Sequence, residues 1–205
     1  MLDPDYLLKT FSYLGLALII FAETGLLLGF FLPGDSLLIS AGLFVARGDL
    51  NIWSVMALVI VAAFLGNTSG YYIGRAFGPA VFARAKFLKP EYVEQAREYF
   101  DTHGNQTLVL ARFVPIIRTL VPTLAGTINM NLRTFMISNA IGAVLWGAGV
   151  PLAGLLLGNI IPKEVLDKYI LVIVGAVIVV SFIPVLLEIN KRRKRSPVSR
   201  VEEDA

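Results

Sequence analysis

The stretch from Thr134 to Gly158 contains no charged residue, and neither does the stretch from Tyr169 to Leu187. A helix needs about 20 apolar residues to cross a bilayer, so each run is long enough to span one. Two such runs in one chain point to a membrane as the solvent. Composition agrees, with 56% hydrophobic residues, a mean hydropathy of +0.72 and 16% charged residues, against about 25% charged in soluble domains. The chain reads as an all-α integral membrane protein forming one polytopic domain over residues 1–205.

The same composition narrows the chemistry. There is no cysteine, and His103 is the one histidine. Disulfides, thiolate metal ligands and a His/Cys metal centre are therefore excluded, as is histidine-based catalysis inside the membrane. "GNTSG", Gly66 to Gly70, is superficially like a serine nucleophile loop, but close helix packing by small residues explains it better. No enzymatic activity, metal, cofactor or nucleic-acid partner is expected. The N-terminal "MLDPDYLLKTF" lacks the basic start and cleavage site of a signal peptide, so the whole chain is read as mature.

The remaining apolar segments are shorter or interrupted. Ile52 to Gly74 is expected to span, whereas Ser36 to Ala46, with 11 residues, covers only about half of a roughly 30 Å hydrocarbon core. Such pieces are expected to enter and return. A first re-entrant hairpin is placed over Phe11 to Arg47, turning at Pro33 and Gly34, and a second over Thr107 to Met130, turning near Arg118 to Pro122, with Pro115 and Pro122 as helix breakers. Irregular backbone at that depth is tolerated only inside protein or beside a water-filled cavity, so the two turns should meet. "Ala-Gly" recurs after each, at Ala41-Gly42 and Ala125-Gly126, a faint trace of the inverted repeats common in transporters. Residues 88–103 read as an amphipathic cytoplasmic helix ending at His103, 169–189 as a C-terminal transmembrane helix, and 190–205 as a basic cytoplasmic tail meeting anionic headgroups. With the C-terminus cytoplasmic, twelve Lys and Arg fall inside and four outside, as the positive-inside rule prefers.

Four charges lie within apolar segments: Glu23, Asp35, Arg112 and Arg118. Each would cost about 2.5 to 3.5 kcal/mol at a helix centre if unpaired, so they are expected to face one another. One reading is an ion-pair cluster that holds the hairpins in register. The sharper reading starts from the small net gain of buried ion pairs, which makes a ligand the better reason to keep four of them. Arginine offers a planar donor fork that fits a phosphate, and a carboxylate in a low-dielectric site can take up a proton. Arg112 and Arg118 are thus candidates for phosphate binding, and Glu23 and Asp35 for proton coupling.

"FAETGLLLGFFLPGDSLLISAG", "LGNTSGYYIGRAFG" and "LARFVPIIRTLVPTLAG" resemble the signature stretches of the DedA family of bacterial inner-membrane proteins, part of the SNARE-associated, VTT-domain superfamily. The resemblance implies two re-entrant hairpins in inverted orientation and a role in membrane-potential maintenance, drug and pH tolerance, or recycling of lipid carriers such as undecaprenyl phosphate, or of phospholipids. It places the family's functional acids on Glu23 and Asp35 and its arginines on Arg112 and Arg118. Where many relatives carry an acid after the glycine, this chain has Gly66-Asn67.

The expectation is a multi-pass protein of the bacterial inner membrane that moves a lipid phosphate across it, linked to the proton motive force. Its partners are then membrane lipids and the lipid phosphate. The alternative is a proton-coupled small-solute, cation or drug antiporter in which the acids bind the ion and the arginines are structural. The exact lipid and the oligomeric state are not written in the sequence.

Overall fold

In the computed structural model of the protein, residues 4–25, 34–84, 108–110, 112, 115–162 and 164–176 are described. Five helices carry the architecture: α1 (Pro4–Gly25), α2 (Gly34–Arg47), α3 (Ile52–Arg84), α4 (Pro115–Thr127) and α5 (Leu132–Ile160). A sixth, α6, covers 164–176, and no strand occurs among the described residues. Among the described residues two helices are long and apolar enough to cross a membrane, over Ile52–Gly78 and Leu132–Ile160. By contrast α2 and α4, with 14 and 13 residues, reach about 20 Å each at 1.5 Å per residue and fall short of the hydrocarbon core.

Local signals set the corners. Helix α2 ends in a Schellman motif, with Gly48 at φ 95° and bonds from Gly48 N to Val45 O (2.9 Å) and Asp49 N to Phe44 O (3.0 Å). Helix α4 is followed by the same motif on Asn129, at φ 53°, with bonds from Asn129 N to Gly126 O (3.0 Å) and Met130 N to Ala125 O (2.9 Å). Each corner then starts a long helix from an asparagine cap. Asn51 Oδ1 accepts from Trp53 N and Ser54 N at 2.9 and 3.2 Å, and Asn131 Oδ1 accepts from Arg133 N and Thr134 N at 3.0 and 3.2 Å.

The two short helices pack crosswise: α2 lies along α5, and α4 along α3. The same atoms meet at both contacts. A Cβ on Gly42 would overlap Pro151 O and crowd Leu155 N, and a Cβ on Gly126 would overlap Tyr71 O and crowd Arg75 N. Gly154 meets the Ile39 carbonyl as Gly74 meets that of Thr123, and Gly158 faces Ala46 and Leu43 as Gly78 faces Thr127. Exchange of partners with matching atoms is what a two-fold relation between the units produces. Lipid tails are as apolar as the helices, so close van der Waals packing of small residues, rather than expulsion of water, must hold these pairs. Larger side chains fill the remaining space in two clusters, one around Ile20, Leu38, Val55, Val59 and Trp146, the other around Tyr71, Val121, Ala125 and Phe135. Helix α6 joins through Leu166 and Ile170 against Leu43.

Several expected boundaries move. Helix α1 starts at Pro4 rather than Phe11, and α3 runs on to Arg84 rather than stopping at Gly74. The expected turn near Arg118 to Pro122 is instead continuous helix, with Pro122 in its interior. Proline removes a single helical donor, and inside a membrane protein its neighbours can re-satisfy the freed carbonyl; Pro122 also packs beside Gly70. Pro115 opens α4, where the missing N–H has no intrahelical partner to lose. Gly34 is the first residue of α2, while Pro33, the 88–103 helix, the end of the 169–189 helix and the 190–205 tail lie outside the described residues.

Candidate functional site

The four charges inside the apolar segments come from α1, α2, α4 and the turn that follows 108–110. Glu23 lies near the end of α1, Asp35 in the first turn of α2 and Arg118 in the first turns of α4, while Arg112 N bonds Val109 O at 3.3 Å. Glu23, Arg112 and Arg118 are buried, at 1%, 4% and 8% exposure.

Arg118 binds both acids. Its Nη2 donates to Glu23 Oε1, and its Nη1 donates to Asp35 Oδ1 at 2.6 Å. The same Asp35 oxygen accepts from Trp146 Nε1 at 3.0 Å. The Trp146 ring also carries both arginines, with guanidinium carbons 5.1 Å (Arg118) and 5.8 Å (Arg112) from its centroid, within the range of a cation–π attraction. Gly34 is needed here for space: a Cβ on it would coincide with the Glu23 carboxylate.

Arg112 is held differently. Nη1 donates to Asn139 O at 3.0 Å and Asn139 Oδ1 at 3.3 Å, and Nη2 to Ala63 O at 3.1 Å. The Asn67 amide stands 3.1 Å from Arg112 Nη2, and with its oxygen turned there its nitrogen reaches Thr24 O, also at 3.1 Å. Asn139 Nδ2 donates to Phe64 O at 3.0 Å. The expectation that opposite charges meet is therefore met at Arg118, whereas among the described residues Arg112 has only neutral acceptors.

Beside these groups is a pocket of about 10 Å³ lined by Asn67, Arg112, Arg118, Pro122, Phe135 and Asn139, room for about one water. Of its lining residues, Asn67 falls near the centre of the Ile52–Gly78 span, and Phe135 and Asn139 in the first third of Leu132–Ile160. Among the described residues, Glu23 Oε2, Ser36 Oγ and Arg118 Nε are buried with no side-chain hydrogen-bond partner. No group of His, Cys, Asp or Glu able to hold a metal occurs among the described residues.

Residues 32–156, more than half of the chain, match the family model of the VTT domain. The chain belongs to the DedA family of VTT-domain membrane proteins. It is 41% identical over 186 residues to Protein DedA of Escherichia coli strain K12, covering 89% of this chain and 84% of that protein. It is likewise 41% identical over 172 residues to the uncharacterized membrane protein ML0287 of Mycobacterium leprae, covering 82% and 75%. A relative named inner membrane protein YqjA, from Escherichia coli strain K12, is 36% identical over 149 residues, 72% of this chain and 68% of its own. No solved structure matches the chain.

Trp146, Asn139 and Ala63 were not marked by charge or motif. Signals for two of them existed. Membrane tryptophans concentrate at the interfaces, so one at the centre of a charge-free helix needs an internal partner for its N–H. Asn139, an amide in the same run, needs internal partners as well.

Proposed function

We propose that this DedA-family protein moves a lipid phosphate, such as undecaprenyl phosphate or a phospholipid, across the bacterial inner membrane, with Arg112 and Arg118 on the phosphate and Glu23 and Asp35 linking movement to protons. The observation that carries the reading is the meeting of Arg118 with both acids, with Arg112 beside it over the same Trp146 ring and on the same pocket. A phosphate carried on a lipid tail suits a site at half depth. The short α2 and α4 begin at that site, and half-helix N-termini at the midplane favour anions. In this reading the two hairpins are re-entrant and inverted, the first open to the outside and the second to the cytoplasm, the C-terminus is cytoplasmic, and the protein is a carrier rather than an enzyme.

The antiporter alternative is weakened by Arg118, because a cation would have to displace a guanidinium already bonded to both carboxylates. Reconstituted protein given polyprenyl phosphate, phospholipid or simple cations in parallel separates the readings. Movement of polyprenyl phosphate or phospholipid, but not of sodium or potassium, is expected. Movement of cations alone would overturn the proposal.

A further inference from the structure

We infer that Glu23 is an internal competitor for the anion's place on Arg118, so that an anion engages Arg118 only as Glu23 takes up one proton and lets go. The inference rests on the phosphate reading above and adds the order of events at the site.

Both Nη groups of Arg118 are turned to carboxylates, and the pocket it shares with Arg112 has room for about one water, not for a phosphate group. An anion approaching Arg112 therefore finds the second arginine closed. The two acids that close it are unequal. Asp35 Oδ1 has a second donor in Trp146 Nε1, so it keeps a partner if Arg118 turns away. Glu23 is buried, its Oε1 bonds Arg118, and among the described residues its Oε2 has no side-chain donor, with only the Gly34 backbone beside the carboxylate. Without Arg118 it would be a carboxylate without its cationic partner in a low-dielectric interior, which neutralises rather than persists.

Charge counting points the same way. With both acids ionised, two arginines and two carboxylates sum to zero, so an anion added while Glu23 stays charged leaves the cluster negative, and protonating Glu23 lowers that excess by one whether the phosphate binds as a monoanion or, at pH 8, as a dianion. Among the described residues the charged groups around Glu23 are Arg118 on α4 and Asp35 on α2, with Arg112 behind Arg118. The long helices add only neutral polar groups there, Asn67 on α3 and Asn139 and Trp146 on α5. Removing the competitor should therefore strengthen binding. A proton carrier separate from the anion, or a structural ion pair, predicts unchanged or weaker binding.

The test is calorimetric titration of the detergent-solubilised full chain with a short-chain prenyl phosphate at pH 8, in two buffers of different ionisation heat. The phosphomonoester has its second pKa at about 6, so its own titration is complete there. The parent is expected to take up close to one proton per anion bound and Glu23→Gln close to none, with Glu23→Gln binding at least about tenfold tighter at pH 8 and the two converging towards pH 5.5. Binding by the parent without proton uptake, or a folded Glu23→Gln that binds no tighter, overturns the inference and leaves the phosphate reading standing. If Glu23→Gln does not fold, the parent's proton count decides alone. If the parent binds no prenyl phosphate between pH 5.5 and 8, the phosphate reading falls and this inference with it.

Discussion

Gly34 and Arg118 stand at equivalent places in the two units, each eight residues before the glycine, Gly42 or Gly126, that packs its helix onto the opposite long helix. On the long helices Gly66 and Trp146 stand in the same relation, each eight residues before Gly74 or Gly154. In both pairs the first unit has no side chain and the second has one of the bulkiest. The space left at Gly34 takes the Glu23 carboxylate, and that at Gly66 lets Phe21 and Thr24 of α1 come against α3. The packing contacts are shared by the halves, whereas the chemistry is divided between them, acids on one and arginines on the other.

The largest effect should come from removing the group on which that division depends. Arg118→Ala strands the buried Glu23 carboxylate and leaves Asp35 with Trp146 alone, and breaking a buried pair costs about 3 to 5 kcal/mol. In thermal unfolding of the detergent-solubilised protein it should be among the most damaging single changes, and adding Glu23→Gln and Asp35→Asn should restore at least about half of the loss. A loss under about 1 kcal/mol would mean that water, not Arg118, balances the acids, and the contrast between the units would lose its electrostatic meaning.

Next in size is the shared packing. Gly42→Val and Gly126→Val each press a side chain onto backbone atoms that cannot turn aside, and overpacking typically costs about 1 to 3 kcal/mol. The two should lose similar stability, while Gly15→Val, where a Cβ would meet nothing within 4 Å, should lose far less. Tolerance at one of the two would show that the halves pack alike in geometry and not in energy.

The parts of this arrangement visible in the sequence are those written in charge and in long apolar runs. Glu23, Asp35, Arg112 and Arg118 stand out because a charge in an apolar segment has few explanations, and their approach follows from its cost. The α5 span was bounded to within two residues for a similar reason, since Thr134 to Gly158 lies just inside Leu132–Ile160. Pro122 misled because a breaker rule built on lone helices takes no account of a neighbouring helix that supports the backbone. Asn51 and Asn131 look like ordinary loop residues until the helix starts are known. Trp146 is hidden by being apolar among apolar residues, and its role depends on a partner 111 positions away. The Ala-Gly repeat was legible as letters, but only the crossed contacts of Gly42 and Gly126 give it a physical meaning.

A smaller effect separates charge from geometry at the arginines. Arg112→Lys and Arg118→Lys keep the positive charge and lose the planar fork. Both variants should insert and fold, yet bind a polyprenyl phosphate analogue at least about tenfold more weakly, a loss of roughly 1.4 kcal/mol. The exposed Arg133→Lys should bind like the parent. Because Arg112 has neutral acceptors and Arg118 has two acids, Arg118→Lys should also shift the pH dependence of binding, and Arg112→Lys should not. Parent-like binding by both hairpin variants would remove the fork as the reason for arginine.

The smallest expected effect tests the corners, where the two units are most alike. Asn51 and Asn131 each offer one side-chain oxygen to two backbone N–H groups at the start of a long helix. Removing such a cap costs about 1 kcal/mol, and water can replace part of the bond because both residues are exposed. The tyrosines beside them differ: Tyr13 OH accepts from Asn51 N at 2.8 Å, whereas Tyr71 OH donates to Met130 O at 2.6 Å. Neither bond uses the asparagine side chain, so both should survive Asn51→Ala and Asn131→Ala. The two substitutions should therefore cost the same within about 0.5 kcal/mol and add in the double variant, as distant sites do. A loss several times larger at Asn131 would mean that the α4–α5 corner carries strain that its counterpart does not. The arginine-bearing unit would then differ from the acid-bearing one in its scaffold as well as in its charges.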